Sequence, residues 1–220
     1  PPRSTLFPYT TLFRSEETDI SAYFAAIEPS LDYDWLRFRL SGLYASGDSD
    51  PFDDKEEGFD AIFENPQFGG ADTSYWIRQT IPYAGGGRVI NVNGRNGILN
   101  TLRSSKEQGQ SQFTNPGTVL LGAGADADIT PELRFSVNAN HLWFDDTSSL
   151  SATRIQAPID TDIGFDLSAA AIYRPDFIQN VVFRLSGATL LPGNGFEQLF
   201  ANEEDDDYYY SILFNATLSY

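Results

Sequence analysis

YYYSILFNATLSY, residues 208–220, is the stretch on which the fold turns. Tyr208, Tyr210, Ile212, Phe214, Ala216, Leu218 and Tyr220 fall on one side of a two-residue period, while Ser211, Asn215, Thr217 and Ser219 fall on the other. Leu213 is the one exception on the polar side. Successive side chains of an extended chain point to opposite faces, so the stretch predicts a strand with one apolar and one polar face.

Six further segments of about a dozen residues repeat this pattern upstream. Val181, Phe183, Leu185 and Gly187 alternate with Arg184, Ser186 and Ala188; Ile163, Phe165, Leu167, Ala169, Ala171 and Tyr173 oppose Asp166, Ser168 and Arg174. Leu133, Phe135, Val137 and Ala139 oppose Arg134, Ser136, Asn138 and Asn140, and Val119, Leu121, Ala123 and Ala125 oppose Thr118, Gly122 and Asp126. Leu36, Phe38, Leu40 and Tyr44 oppose Arg37, Arg39 and Ser41, and a weaker alternation runs from Thr18 to Glu28. The sequence is therefore read as all-β and antiparallel, with about seven strands.

The connections alternate in length. Short ones are expected at Glu28 to Tyr33, Asp128 to Glu132 and Arg174 to Gln179, each holding a proline that suits a turn and cannot extend a ladder. Long ones are expected at Gly47 to Pro116, Asp145 to Asp162 and Pro192 to Asp207. Walking backwards from Tyr220, every short connection falls at one rim and every long one at the other, the arrangement of an outer-membrane barrel. A soluble sandwich also alternates faces. Three features favour the membrane: strands longer than the roughly 5 to 6 residues usual in globular sheets, an aromatic at the end of the last strand, and aromatics at strand ends (Trp35, Tyr44, Trp143, Phe144, Tyr173, Tyr208, Tyr209), where interfacial girdles sit.

Composition closes off other classes. The 220 residues carry 14 Lys and Arg against 31 Asp and Glu, a formal net charge of -17, which argues against a nucleic-acid binder. With 41% hydrophobic residues the chain is too apolar for a disordered acidic tail. There is no cysteine, which removes disulfides, thiol catalysis and Cys-ligated zinc. Apolar runs fall far short of the roughly 20 residues of a membrane helix, a limit that does not apply to strands.

The first fifteen residues, PPRSTLFPYTTLFRS, read codon for codon as a translated short-read sequencing adapter. Residues 1–15 are therefore expected to be an artefact and residues 16–220 a single barrel fragment with a long external loop at 47–116. Seven strands is an odd number where single-chain bacterial barrels have even ones, so strands are expected upstream and the fragment is expected as an open curved sheet.

Two motifs carry a family resemblance. The ending resembles the assembly signal of bacterial outer-membrane proteins, with Tyr220, Leu218, Ala216, Phe214 and Ile212 at alternate positions. LYASGDSDPFDDKEEGFDAIFENPQFGG, residues 43–70, is similar to a loop signature of the alginate-export family of outer-membrane barrels, through Tyr44 to Asp48, Asp50, Asp53, Asp54, Gly58, Phe59 and Asp60. The departure comes after Phe59, where Ala61 to Gly70 replaces a Pro-rich stretch with His or Tyr. The resemblance implies the outer membrane of a Gram-negative bacterium, the barrel-assembly machinery as a partner, and a porin or exporter that passes anionic polysaccharide or related solutes. It assigns Phe214, Leu218 and Tyr220 to the assembly signal.

Charge placement extends this to a site. Arg37, Arg39, Arg134, Arg174 and Arg184 fall on the polar face, and Arg78, Arg88, Arg95, Arg103 and Lys106 follow the acidic stretch. Guanidinium groups select carboxylates by field and bidentate geometry. The expectation is a channel for anionic or carbohydrate solutes lined by Arg37, Arg39, Arg134 and Arg184, with part of Ala71 to Gln112 folded inward to bring Arg88, Arg95 and Arg103. The alternative for these arginines is a solvated loop, or pairing with Asp126 and Asp166 across the lumen purely for structure. Alternatives for the protein are a structural sheath around an electron-transfer or other partner, or a surface-binding protein without a conducting pore.

Acids crowd the outer loops at Asp48, Asp50, Asp53, Asp54, Glu56, Glu57 and Asp60 and at Glu203 to Asp207. Asp48, Asp50, Asp53 and Asp54 are candidate oxygen ligands for Ca²⁺, without EF-hand spacing, against the plainer reading of a solvated loop. Divalent cations there would bridge to lipopolysaccharide. His141 is the only histidine and lacks a phospholipase motif around Ser148, Ser149 and Ser151, so it is read as an interfacial residue beside Trp143. Gly85 to Gly87 lack a phosphate-loop context and fit a flexible turn. No enzymatic activity is expected.

Overall fold

The structure is a computed structural model that describes residues 18–59, 68–70, 73–74, 113–178, 180–199 and 207–219. Its strands are β1 (Asp19–Ile20), β2 (Phe24–Ile27), β3 (Ser30–Tyr33), β4 (Leu36–Ala45), β5 (Lys55–Glu56), β6 (Thr118–Asp128), β7 (Leu133–Trp143), β8 (Asp162–Tyr173), β9 (Val181–Pro192) and β10 (Tyr209–Leu218). Two short helices, α1 (Ser148–Arg154) and α2 (Asn194–Leu199), lie in loops. One antiparallel sheet runs in the order β10-β9-β8-β7-β6-β4-β2, with β3 also on β4; β1 and β5 form a separate parallel pair. The large sheet is open, and its strands from β4 onward are 10 to 12 residues long.

β2 and β3 are one strand with an interruption. Ile27 pairs with Gly42 and Ser30 with Arg39, so the register is unbroken across Glu28 and Pro29, and Leu40 N donates to Pro29 O at 3.0 Å. The turn expected at Glu28 to Tyr33 is therefore misplaced. The chain reverses at Asp34 and Trp35, between the paired Tyr33 and Leu36, with Asp34 in the left-handed region at φ 55°. Aspartate is among the few residues that tolerate this conformation. Pro29 is accommodated because β2 and β3 form the sheet edge, where a missing N–H breaks no ladder.

The other two tight connections, 129–132 and 174–180, share the rim of Asp34, and the three long connections share the opposite rim, as the alternation demands. Because the order has seven positions, the two edges, β2/β3 and β10, run parallel to each other.

The two faces of the sheet differ in burial. On one face, Leu40 is 64% exposed, Leu121 59% and Ile212 71%, with Leu31, Phe38, Phe135, Val137, Phe165, Leu185 and Phe214 also exposed. On the other face Asp166 is 0% exposed and Asn140 1%, with Ser41, Asp126, Asn138, Ser168 and Ser186 buried around them.

The apolar cluster sits at the long-loop rim of the polar face. Leu43, Leu120 and Leu142 form one cross-strand row, joined by Ile163 and Leu190 and roofed by Phe144, Leu150, Ile159, Phe196 and Leu199. Each large side chain buried there contributes about 1.5–3 kcal/mol relative to exposure, which ties α1 and α2 down onto the sheet. Two sequence expectations need correction here. Ile163 does not share a face with Phe165: a bulge pairs Leu142 with Gly164 and Trp143 with Asp162, leaving Ile163 unpaired and turned into the cluster. Phe144 belongs to this cluster and Tyr209 packs against it, so neither stands in an outward girdle. Trp35, Tyr44, Tyr173 and Tyr208 are exposed at strand ends as expected.

Candidate functional site

Below the apolar cluster the polar face is a set of cross-strand rows. One row carries Glu28, Ser41, Gly122, Asn140 and Asp166; the next carries Ser30, Arg39, Gly124, Asn138 and Ser168; the third carries Asp32, Arg37, Asp126, Ser136, Ala170 and Ser186. Asp128, Arg134, Ile172, Arg184 and Asn215 complete it at the short-turn rim.

Of the five strand arginines expected on this face, Arg37, Arg39, Arg134 and Arg184 are there, each with a partner, while Arg174 lies just past the end of β8. Arg37 Nε and Nη2 donate to the two carboxylate oxygens of Asp32 at 2.5 and 3.0 Å. Arg134 grips Asp128 in the same bidentate way at 2.5 and 2.8 Å. Arg39 Nη1 lies 3.1 Å from Asp126 Oδ2, while its Nη2 donates to Asn138 Oδ1 at 2.8 Å. Arg184 Nη2 donates to Thr73 Oγ1 at 2.5 Å. Of the two carboxylates expected as arginine partners, Asp126 takes that role with Arg39, and Asp166 lies in register with Asn140. Across the described face the four guanidiniums stand among five carboxylates, Glu28, Asp32, Asp126, Asp128 and Asp166, so the surface is not a basic one.

Gly124 lets Arg39 reach Asn138 across β6, and Gly122 makes room for Asn140. A Cβ at Gly124 would lie 2.6 Å from Asn138 Oδ1 and 3.0 Å from Arg39 Nη2; one at Gly122 would lie 2.0 Å from Asn140 Oδ1. Any larger residue at these positions closes the gap through which the two asparagines lean.

Part of the long connection lies on this face. Glu28 accepts through Oε2 from Gly69 N at 2.8 Å and from Ser41 Oγ at 2.6 Å, and Asn140 Nδ2 donates to Gly69 O at 2.8 Å. Gly70, at φ 71°, would place a Cβ 2.2 Å from Asn138 Cγ, so only glycine fits. Thr73 and Ser74 follow, both buried. Of the 71–112 stretch expected to fold inward, the described residues are Thr73 and Ser74, with Thr73 on this face against Arg184. Arg88, Arg95 and Arg103 lie outside the described residues, as does Tyr220 of the assembly signal. Phe214 and Leu218 are exposed on β10.

The short-turn rim holds a cavity of about 130 Å³ between the hairpin turn and the turn after β6, lined by Asp32, Asp34, Trp35, Leu36, Arg37, Asp126, Asp128 and Arg134. Asp128 N donates to Trp35 O at 2.8 Å and ties the two turns together.

The acidic loop is organised locally. Asp50 Oδ1 accepts from Phe52 N at 3.1 Å and Asp53 Oδ1 from Lys55 N at 2.9 Å, each closing a turn on its own backbone. Lys55 pairs with Glu57, whose carboxyl is held below the usual range by that contact and by Ser49 Oγ at 2.8 Å. Asp48 is buried, its Oδ1 accepting from Glu57 N at 3.2 Å, and burial pushes its carboxyl above the usual range. Among the described residues no group of three or more His, Asp or Glu side chains is gathered to hold a metal, so Asp48, Asp50, Asp53 and Asp54 do not come together as a Ca²⁺ site.

His141 stands on the apolar face, its ring 3.9 Å from that of Trp143 and 4.0 Å from that of Phe165, with Nε2 2.8 Å from Asp162 Oδ1. Ser148, Ser149 and Ser151 lie in α1.

Glu28 and Asn140, which hold the inner segment, were not singled out by pattern. Their signal is weak: a carboxylate and an amide on a polar face look alike whether they meet water or backbone. No known protein family, curated protein or solved structure matches the chain.

Proposed function

We propose that this chain forms the wall of an outer-membrane β-barrel channel of a Gram-negative bacterium, with its apolar face against lipid and its polar face toward an aqueous lumen. The observation that carries this reading is the inverted burial: exposed Leu, Ile and Phe on one face and buried Asp, Asn and Ser on the other. In water such a face of exposed aliphatic and aromatic side chains would be an aggregation surface, whereas against hydrocarbon it is the favoured solvent contact. No helix among the described residues is long and apolar enough to cross a membrane, which leaves strands as the spanning elements in this reading. Since β2/β3 and β10 run parallel, an antiparallel closure places an odd number of strands between them.

For the solute, the pairing of Arg37, Arg39 and Arg134 with carboxylates supports carbohydrate over anion. A guanidinium already gripped by a carboxylate keeps donors for hydroxyl groups but has little net field to offer an anion. Gly69 and Thr73, held by Glu28, Asn140 and Arg184, narrow the lumen in this reading.

The test is reconstitution into planar bilayers of the chain assembled into a closed barrel with the strands that closure needs. Stepwise conductance with a reversal potential near zero in a salt gradient, and block of the current by neutral oligosaccharide, is the expected result. No conductance above that of lipid alone removes the channel; a strong anion preference returns selectivity to the arginines.

A further inference from the structure

We propose that Glu28 and Asn140 form a latch: together they hold Gly69 onto the polar face, and their release frees this part of the long connection from the wall. For its effect on transport this rests on the channel reading, but the latch itself is tested without conductance. The grip is on the two polar backbone atoms of one residue. Glu28 Oε2 accepts from Gly69 N at 2.8 Å, and Asn140 Nδ2 donates to Gly69 O at 2.8 Å. The first is a carboxylate on a backbone N–H, a charge-assisted bond that is stronger than a neutral one. Both wall side chains are held in orientation. Ser41 Oγ donates to the same Glu28 oxygen at 2.6 Å, and Asn140, 1% exposed, leans into the space that Gly122 leaves.

The seat is shaped for a pair of glycines. Gly69 and Gly70 have φ of 57° and 71°, left-handed conformations that favour glycine, and a Cβ at Gly70 would lie 2.2 Å from Asn138 Cγ. Beyond them the chain turns on itself: Thr73 N and Ser74 N both donate to Gly70 O, at 2.8 and 3.0 Å. Among the described residues this part meets the wall through the side chains of Glu28, Asn140 and Arg184, whereas the long strands of the wall meet one another through backbone ladders. Side-chain bonds open without breaking a ladder, so the contact has a local stability of its own, below that of the sheet. Glu28 and Asn140 carry the latch because they hold the backbone itself; Arg184 holds the Thr73 hydroxyl, which turns about its own side-chain bond.

The experiment uses the full chain in lipid vesicles. The chain has no cysteine, so Ser74→Cys, at a position 0% exposed, reports on this part of the connection through its rate of reaction with a water-soluble maleimide. Leu190→Cys, in the apolar cluster, reports on the sheet in the same way. Labelling at 74 is expected to be at least about tenfold faster with Glu28→Ala and Asn140→Ala together than with the wall unaltered, while Leu190→Cys stays protected. Glu28→Gln alone, whose amide oxygen still accepts, should stay near the unaltered rate. If Leu190→Cys becomes reactive as well, the double variant has lost its sheet and Gly70→Ala takes its place: the added methyl meets Asn138 and lifts the same residues while Glu28 and Asn140 remain. Equal labelling at 74 with the unaltered wall and with the variant that keeps Leu190→Cys protected overturns the latch. In the closed barrel, release should also raise the single-channel conductance. Faster labelling with no conductance in any variant keeps the latch and removes the channel, and a conductance that stays the same while labelling at 74 rises overturns the part of the latch in transport.

Discussion

The two faces of this sheet are made from adjacent residues of the same strands and follow opposite rules. Along β4, Phe38 and Leu40 are exposed while Ser41 between them and Leu43 is buried; along β8, Phe165 is exposed and Asp166 is wholly buried. The apolar face has uniform chemistry and little specific contact beyond rings such as Phe183 and Phe214, 6.1 Å apart. The polar face is specific at every row, with ion pairs, amide contacts and a returning segment of chain. The difference teaches that the face made of generic contacts depends on its solvent, and the face made of particular contacts depends on its partners.

The largest effect should come from reversing the solvent preference of the first face. Leu40→Arg, near the middle of β4, is expected to cost about 2–4 kcal/mol of stability in lipid vesicles, the range for a cation at the bilayer midplane. An unchanged denaturant midpoint would show that Leu40 does not meet hydrocarbon. Next, Asp126→Leu strands the Arg39 guanidinium among Asn138 and the glycines. The loss expected is about 3 kcal/mol, at the low end for a broken buried pair because both side chains keep some exposure, 20% and 12%. In a double-mutant cycle the further change Arg39→Leu should recover much of it.

Gly124→Ala sharpens the comparison within the polar face. The added methyl meets Asn138 and Arg39, and overpacking of this kind costs about 1–3 kcal/mol. Ala123→Val, one residue away on the apolar face, should be close to neutral. If both substitutions cost the same, the gap in β6 has no role in the contact between Arg39 and Asn138.

The smallest effect concerns the acidic loop and pH. The Asp48 carboxyl is raised by burial, so its protonated form is the one the fold prefers, and stability is given up as pH rises through the ordinary value of 3.8 toward the folded one. Glu57 has the opposite sign: its depressed carboxyl stabilises at neutral pH, and that contribution is lost as pH falls through the folded value. Asp48→Asn should therefore raise loop protection from proteolysis at neutral pH, by under about 1 kcal/mol, and leave the loss at acid pH that belongs to Glu57. A lower protection at neutral pH would mean that the Asp48 charge is itself needed.

Much of this architecture was legible in the two-residue period, because a strand with two different environments must write that difference at every second position. Six of the expected strands stand with their faces as read, and Arg39 with Asp126 could be paired by sign. What failed had local causes. Pro29 reads as a turn, yet it occupies an edge strand whose register continues through it. Ile163 follows the period but not the face, because a bulge inserts one residue at that point. The hold of Glu28 and Asn140 on Gly69 joins positions 41 and 71 residues apart, and no periodic pattern encodes such a contact.

The most direct test of the central claim is a nitroxide scan of β10. The chain has no cysteine, so single cysteines can be placed in turn at Ser211 through Thr217 and spin-labelled in lipid vesicles. The account predicts that collisions with oxygen, which concentrates in hydrocarbon, peak at 212, 214 and 216, and that collisions with a water-soluble nickel chelate peak at 211, 213, 215 and 217. Nickel accessibility at all seven positions without alternation would contradict it, and would mean that the face of Ile212 and Phe214 meets water.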